Sequence, residues 1–580
     1  MKVLTLHPQD RWTSAACSGG YDLVVDLGRA PFATYEGWSC QAGCPVIGLS
    51  DFADTNGDLY HTRSHVQMGA TFVTDRMGID WWSVLSLEIV PQLQQLILIQ
   101  RLARHIKEKC DIYSSRADYR SAALHEALGG RLINLETAFR GAVRRLRYYF
   151  GVASKFNSRQ IFQIAQDKFD KEHAIRRRLA KRGSSSVRSP ILLPSAYINV
   201  SRTALSYAEL LPGEQFLLVC ARDSAKVQDL PANVRMISLN PYFSSPNAGD
   251  EISSLLEKWA TLKKHLISRA PEFQSGAAVG LFDRIPSLIR WGITLRDAWI
   301  RLFECENIRS CFCADHSNPY TRIPLLLAKR AGVPALACHH GALDAMMATT
   351  THDADFYVAK SEMERDYMTR VCSISQEKVV AVRASDMRRS FRLADSQDRP
   401  WLVFFSEPYE VSSWRTDEVY GELLPQLFSL SETCGLKLVF KLHPFETVKS
   451  HRKLLRRHLP AEKARQIAII SGPISEQIWQ NTRFALTGQS SIALECVERN
   501  VPIFLCGWLR DPFCGYVEQY QRFGVGHLLG SAAEISDIPR LLASQLARFE
   551  ARQNSPDQIG AEILKELLAT SHPLPIAAGS

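Results

Sequence analysis

From residue 401 onward, short apolar runs alternate with helix-length segments. In order they are WLVFFSEP, a helical pattern over 417–433, KLVFKLHP, a helical pattern to 459, IAIISGP, ISEQIWQN, FALTGQ, SSIALECVERN and VPIFLCG. Strands separated this way cannot pair as tight hairpins. They need crossover connections, which are right-handed and build a parallel sheet with helices on its faces. In such a sheet all strands end at the same rim, so whatever follows each apolar run is presented there. That rim is where open α/β sheets bind ligands.

The upstream sequence behaves similarly, with more insertions. KVLTLHPQ, YDLVVDLG, CPVIGLSDF and CDIYSSRADYR each read as a strand running into a loop or helix. Residues 131–190 read as a basic helical insertion ending in KRGSSSVRSP. Strands are expected again at AYINVSR, QFLLVCARD, VRMISLNPYF, IRSCFCADHSNPY, VPALACHHG and DFYVAKS, with a helix over IPLLLAKRAG. The polar passage at 383–400 marks a boundary. The chain therefore divides into 1–385, a Rossmann-like domain carrying the insertion, and 386–580, a second Rossmann-like domain. The two parallel sheets are expected to face each other across a cleft.

Composition narrows the function. The chain has 580 residues and a formal charge of +9, which suits an anionic partner. The basic clusters RGAVRRLRYYF, AIRRRLAKRG and HRKLLRRHL read either as solvated helix faces or as contacts to anionic headgroups or an acidic glycan. No nucleic-acid-binding motif accompanies them. No run of 18 or more uncharged apolar residues suggests a membrane span, and the amino terminus lacks a signal-peptide pattern. The 14 cysteines are scattered without zinc-finger spacing, and free thiols in a reducing cytoplasm are expected. Neither G-x-G-x-x-G after a strand nor G-x-x-x-x-G-K-[ST] occurs, which removes support for dinucleotide redox chemistry and P-loop hydrolysis.

Five strand ends carry candidate chemistry. KLVFKLHPFE ends on Lys441, His443 and Pro444. An imidazole braced by proline is a rigid donor, Lys441 and His443 share a sheet face by their spacing of two, and Pro444 is expected to open a helix whose amides favour an anion. The plainer reading is a loop histidine capping a carbonyl. In ALTGQSSIALE, Gly488, Ser490 and Ser491 stand at a strand-to-helix turn with Glu495 a turn further in; Ser490 offers donors or merely caps the helix. CFCADHSNPYTR places Asp315 at a strand end followed by Arg322, either a reactive carboxylate or a cap paired with that arginine. ACHHGALD ends in His339, His340 and Gly341; His339 also reads as a satisfied core histidine. FFSEPYE puts Glu407 and Glu410 at the rim, or in a loop. No His or carboxylate pair with repeating ligand spacing is evident, so no metal site is expected.

With these residues in hand, residues 300–510 resemble bacterial GT-B glycosyltransferases of capsule and lipopolysaccharide synthesis. The closest pattern is that of enzymes using CMP-activated acidic sugars: Kdo transferases, sialyltransferases and polysialyltransferases. The CDP-glycerol glycerophosphotransferases of teichoic acid synthesis share much of it. The resemblance rests on KLHP, on GQSSIALE followed by VPIFL, on FFSEP with Glu407 where glutamine is common, and on AGVPALACHHGALD.

The resemblance implies an α/β GT-B fold and a glycosyltransferase moving Kdo, or second sialic acid, from a CMP-sugar to a polysaccharide or lipid-linked acceptor. The cysteine usage and the basic clusters give the expectation of a cytoplasmic location with peripheral contact at the anionic inner membrane. The resemblance also implies donor contacts from Lys441, His443, Pro444, Gly488, Ser490, Ser491, Glu495 and Glu407, cytidine against the loops after 404 and 471, and no cofactor or metal. For the acceptor-side chemistry Asp315 is the first candidate as base or nucleophile, with His340 and Arg322 beside it and Asp118 and Asp80 behind it. The alternatives are a CDP-polyol phosphotransferase and a non-catalytic GT-B scaffold. A 2-epimerase loses support because QSSIALE stands where a serine- and glycine-rich loop is expected.

Overall fold

The computed structural model describes residues 1–8, 10, 12, 19–116, 118–135, 189–243, 249–343, 353–383, 398–410, 413–510, 516–552 and 560–569. The basic clusters at 140–150 and 174–183, and most of the expected boundary at 383–400, lie outside them.

Three parallel sheets form, not two. The first contains β1 (Lys2–Leu6), β2 (Leu23–Asp26), β3 (Val46–Gly48), β4 (Asp111–Ser114) and β5 (Leu132–Asn134), in the order β3-β2-β1-β4-β5. The second contains β6 (Ile191–Ser195), β7 (Phe216–Cys220), β8 (Val234–Ser238), β9 (Ser310–Cys313), β10 (Ala335–Ala337), β11 (Phe356–Ala359) and β12 (Val379–Ala381), in the order β12-β11-β10-β9-β6-β7-β8. The third contains β13 (Trp401–Phe405), β14 (Lys437–Lys441), β15 (Ala468–Ile470), β16 (Thr482–Thr487), β17 (Ile503–Cys506) and β18 (His527–Leu529), in the order β15-β14-β13-β16-β17-β18.

In each sheet the first strand in sequence lies in the interior, the next two are added on one side, and the chain then crosses back to the other side. That is the doubly wound order, with a switch point between the first and fourth strands. The central strands are buried on both faces: LVV of β2, ILLPS of β6 and LVFF of β13 are buried throughout. This explains why their sequences run apolar instead of alternating.

The second and third sheets meet by their carboxyl rims, the GT-B arrangement. The rims touch where Asn199 Nδ2 lies 3.4 Å from His443 Nε2 and Tyr197 packs edge-on against Phe445.

Three differences from the sequence reading have physical causes. Residues 1–385 carry two sheets because the strands before residue 135 pair only among themselves. The segment AYINVSR is helical, Ile198–Ala208, and the strand is the preceding ILLPS. Val200, Ala204 and Ala208 recur at helical spacing and are buried, so packing outweighs the β-branched residues. Finally, the helix Ala561–Ala569 packs on the second sheet through Leu564 and Leu568, beside Phe312 and Leu336.

The helix Trp81–Ile106 is, by length and composition, the one described helix able to cross a bilayer. Here it is a core helix, with Trp81, Leu93, Leu96 and Leu102 fully buried.

The first sheet's rim is plugged. The Arg415 guanidinium, from the loop after β13, donates to both Asp26 oxygens at 2.6 and 2.8 Å and to His7 O at 3.1 Å. Arg415 N donates to Arg29 O at 2.7 Å, and Arg29 N to Ser413 O at 2.9 Å.

Candidate active site

The second sheet delivers Asp315 and the two histidines from adjacent strands, β9 and β10. Asp315 is 2% exposed and accepts from Ser317 N at 2.8 Å, Ser317 Oγ at 2.5 Å and Asn318 Nδ2 at 3.3 Å. His339 Nδ1 lies 3.8 Å from one carboxylate oxygen and His340 Nδ1 3.6 Å from the other. Burial pushes the Asp315 carboxyl up, but the facing His340 and His339 and the Ser317 donors hold it at about 2. Burial pushes His339 down to about 3 and His340 down as well, against the pull of Asp315.

At neutral pH the group is therefore one buried carboxylate facing two neutral imidazoles. His340 is the open member, with 26% of its side chain exposed. Its Nδ1 faces the carboxylate at 3.6 Å, longer than a hydrogen bond, and its Nε2 is the other basic atom. Lys360 fixes the turn by donating to Gly341 O at 3.0 Å.

Two expectations change here. Arg322 does not pair with Asp315. It is fully buried, donates to His316 O at 2.7 Å and Ser83 O at 2.9 Å, and lies 3.2 Å from Asp353, tying the loop after β9 to the helix Trp81–Ile106. Asp118 and Asp80 are helix caps, accepting from Arg120 N at 2.7 Å and Trp82 N at 3.0 Å. No metal site is expected from ligand spacing, and the geometry adds groups with the capacity to hold one. Among the described residues two groups bring ligand atoms within 4.8 Å of one another: Asp315–His339–His340, and His61–His65–Glu272. The second was legible as HTRSH, two histidines four apart on the helix Thr55–Gly69.

From the third sheet, His443 follows β14. Its Nδ1 accepts from Phe445 N at 3.3 Å, which puts the ring proton on Nε2, the atom 3.4 Å from the Asn199 carboxamide. Burial, then His340 and Lys441, push the imidazole down to about 4. His443 is thus a neutral N–H donor at the cleft. Glu446 holds the turn, accepting from His443 N at 3.0 Å and from Ser406 Oγ, and burial pushes its carboxyl up to about 7.

Lys441 is buried, and its ammonium donates to Leu442 O at 3.0 Å and Gly472 O at 2.8 Å, bracing the loop after β15. Pro444 is exposed in a turn and opens no helix. The next helix is Val448–His458, capped by Thr447.

The loop after β16 is occupied by the protein's own carboxylate. Glu407 Oε1 accepts from Gln489 N at 2.7 Å, Ser490 N at 2.9 Å and Thr487 Oγ1 at 3.2 Å. Burial raises its carboxyl despite these bonds. A Cβ on Gly488 would sit 2.8 Å from that oxygen, which is why glycine stands there. The amides of residues 489 and 490 thus hold Glu407, and Ser490, implied as a donor contact, gives its amide to that carboxylate. Ser490 Oγ accepts from Ile492 N at 3.3 Å, Ser491 caps the helix Ile492–Glu498 without a side-chain bond, and Glu495 is half-buried on it. Glu410 is exposed in the loop.

Asn199 and Arg202 complete the rim. Both were hidden from sequence reasoning because NVSR was read as a strand; helical spacing from Val200 to Ala208 was the signal available.

No protein-family model matches the chain, and no curated protein does. Solved structures give weak likenesses. The S. aureus MnaA–UDP co-structure has 12% identity over 66% of this chain and 98% of its own, with a TM-score of 0.41. The calicheamicin glycosyltransferase CalG4 has 12% identity over 67% and 100%, at 0.39. A variant of the wall teichoic acid polymerase TagF has 10% identity over 71% and 97%, at 0.38. Likenesses this weak carry no argument about function; the architecture rests on the strand order itself.

Proposed function

We propose that the chain is a glycosyltransferase that moves an acidic sugar, Kdo first and sialic acid second, from a CMP-activated donor to a polysaccharide or lipid-linked acceptor. One observation carries this reading: a neutral His443 from one doubly wound sheet and a neutral His340 backed by buried Asp315 from the other meet in a single cleft. The anomeric C–O(phosphate) bond breaks with its electron pair going to CMP, and the His443 Nε2–H donates to that phosphate oxygen. A positioned donor of this kind contributes about 3–4 kcal/mol. The acceptor hydroxyl forms the new C–O bond and gives its proton to His340 Nε2, while Asp315 positions the ring and balances the imidazolium. Asp315, at 2% exposure, lies behind His340, so we assign it the positioning role and His340 the base of a direct, inverting displacement by the acceptor.

The reading includes a cytoplasmic location with peripheral contact at an anionic inner-membrane surface. Among the basic residues of the helix Val448–His458, Arg457 pairs with Asp417 and Arg452 donates to Ile467 O at 3.0 Å, leaving Lys449, Lys453 and Arg456 exposed.

The test is nucleotide release from CMP-Kdo, CMP-sialic acid and CDP-glycerol, by wild type and by His443→Ala and His340→Ala. CMP release from a CMP-sugar, lost in both variants, is expected. Release from CDP-glycerol alone would replace glycosyl transfer by polyol-phosphate transfer. Release from none would leave the scaffold reading.

A further inference from the structure

Arg202 lies one helical turn beyond Asn199 on Ile198–Ala208, and residues three apart share a helix face. Asn199 reaches His443, so Arg202 stands on the face turned to the end of β14. It is half-buried, and among the described residues no carboxylate pairs with it; burial alone pushes its guanidinium down. A cation placed this way is costly unless something anionic arrives.

Its charge is felt across the cleft. Burial, then Arg202, pushes the Lys441 ammonium down to about 8. Lys441 spends two of its three donors on carbonyls and keeps one. The carboxylate acting on Lys441, Glu446, is itself pushed up by burial to about 7, so it neutralises the pair only in part. The position also fits. The helix carrying Arg202 follows β6, the strand on one side of the second sheet's switch point.

We propose that Arg202 and Lys441 form an anion subsite that takes the donor's second negative group, beside the phosphate bonded to His443. The subsite rests on the transferase reading above. The group is the carboxylate of an acidic sugar or the second phosphate of a CDP donor, which present the same charge and acceptor oxygens. The subsite makes Arg202 a specificity residue: it selects donors that carry more than one anionic group.

Isothermal titration tests this with four probes: CMP, CMP-sialic acid, CMP-Kdo and CDP-glycerol. Arg202→Met should leave CMP affinity within about twofold and weaken the doubly anionic donor by about tenfold or more, the scale of one lost charge-assisted hydrogen bond. Arg202→Lys should recover part of that loss, which separates charge from folding. Selective loss with the CMP-sugars identifies the carboxylate, and selective loss with CDP-glycerol the second phosphate. Equal weakening of CMP and the donors, or no weakening of any, overturns the subsite. If wild type binds no cytidine nucleotide, the transferase reading itself fails, a result distinct from the others.

Discussion

Replacing Arg415 with methionine should loosen the carboxyl rim of the first sheet. Arg415 and Asp26 lie 389 positions apart, and both are almost fully buried, at 2% and 0% exposure. The guanidinium gives Asp26 two bonds and also caps His7 O and Asp10 O, and its carbon lies 5.3 Å from the Trp38 ring. Without it Asp26 keeps, among the described residues, Gly28 N at 2.8 Å and Tyr35 Oη at 3.1 Å. Two charge-assisted bonds at about 1.5–3 kcal/mol each agree with the roughly 3–5 kcal/mol seen when one member of a buried pair is removed. Hydrogen exchange of the β1 and β2 amides is the suitable readout, because global unfolding of so large a chain need not be two-state. Exchange through local opening should accelerate by about 10²–10³ or more. Arg415→Lys should fall between, keeping charge but losing the fork. Adding Asp26→Asn to Arg415→Met should restore stability by removing the orphaned charge. Unchanged exchange in Arg415→Met, or a double variant worse than the single, would refute the clamp.

Stability should also fall on mild acidification. Burial holds His443, His7 and His451 at about 4 and His339 at about 3, against an ordinary value of 6.5. Below pH 6.5 the unfolded chain binds protons that the folded chain refuses, so this contribution is complete above 6.5 and is lost as pH falls toward 4. Glu446, raised from 4.5 to about 7, opposes it, contributing fully below 4.5 and losing its contribution as pH rises through 7. A denaturant midpoint that does not drop between pH 7.5 and 5 would contradict this balance. Asp315→Asn should keep CMP binding yet lose transfer about a hundredfold, with no sugar adduct in the intact mass of wild type given donor alone. An adduct that Asp315→Ala abolishes would make Asp315 the nucleophile. Transfer should persist in excess EDTA; loss restored by Mg or Mn would assign Asp315, His339 and His340 as metal ligands. The protein should sediment with anionic liposomes at low salt and release as salt rises, since attraction is screened over about 10 Å at 0.1 M, and equal binding to neutral vesicles would count against membrane contact.

Much of this molecule was legible because strand-and-helix alternation is a local property. Apolar runs such as WLVFF and KLVFK reveal buried parallel strands, and their ends place His443, Asp315, His339 and His340 at sheet rims without any coordinates. That β13 lies between β14 and β16 came from the structure, because crossover rules fix handedness and leave strand order open. What lay beyond the sequence were the partners. Glu407 was expected to face a ligand, yet it turns to amides some 80 positions away because those donors need an acceptor once buried. Arg322 prefers Asp353 to the nearby Asp315, and Arg415 reaches back to Asp26. A buried charge takes whichever opposite group the packing brings near, and chain separation has no bearing on that choice. The same holds for AYINVSR, whose Ile198 and Val200 suit a strand in isolation but whose buried face against β6 makes it a helix. Local periodicity determined where the chemistry-bearing residues emerge; only tertiary packing decided which of them stay open to a ligand.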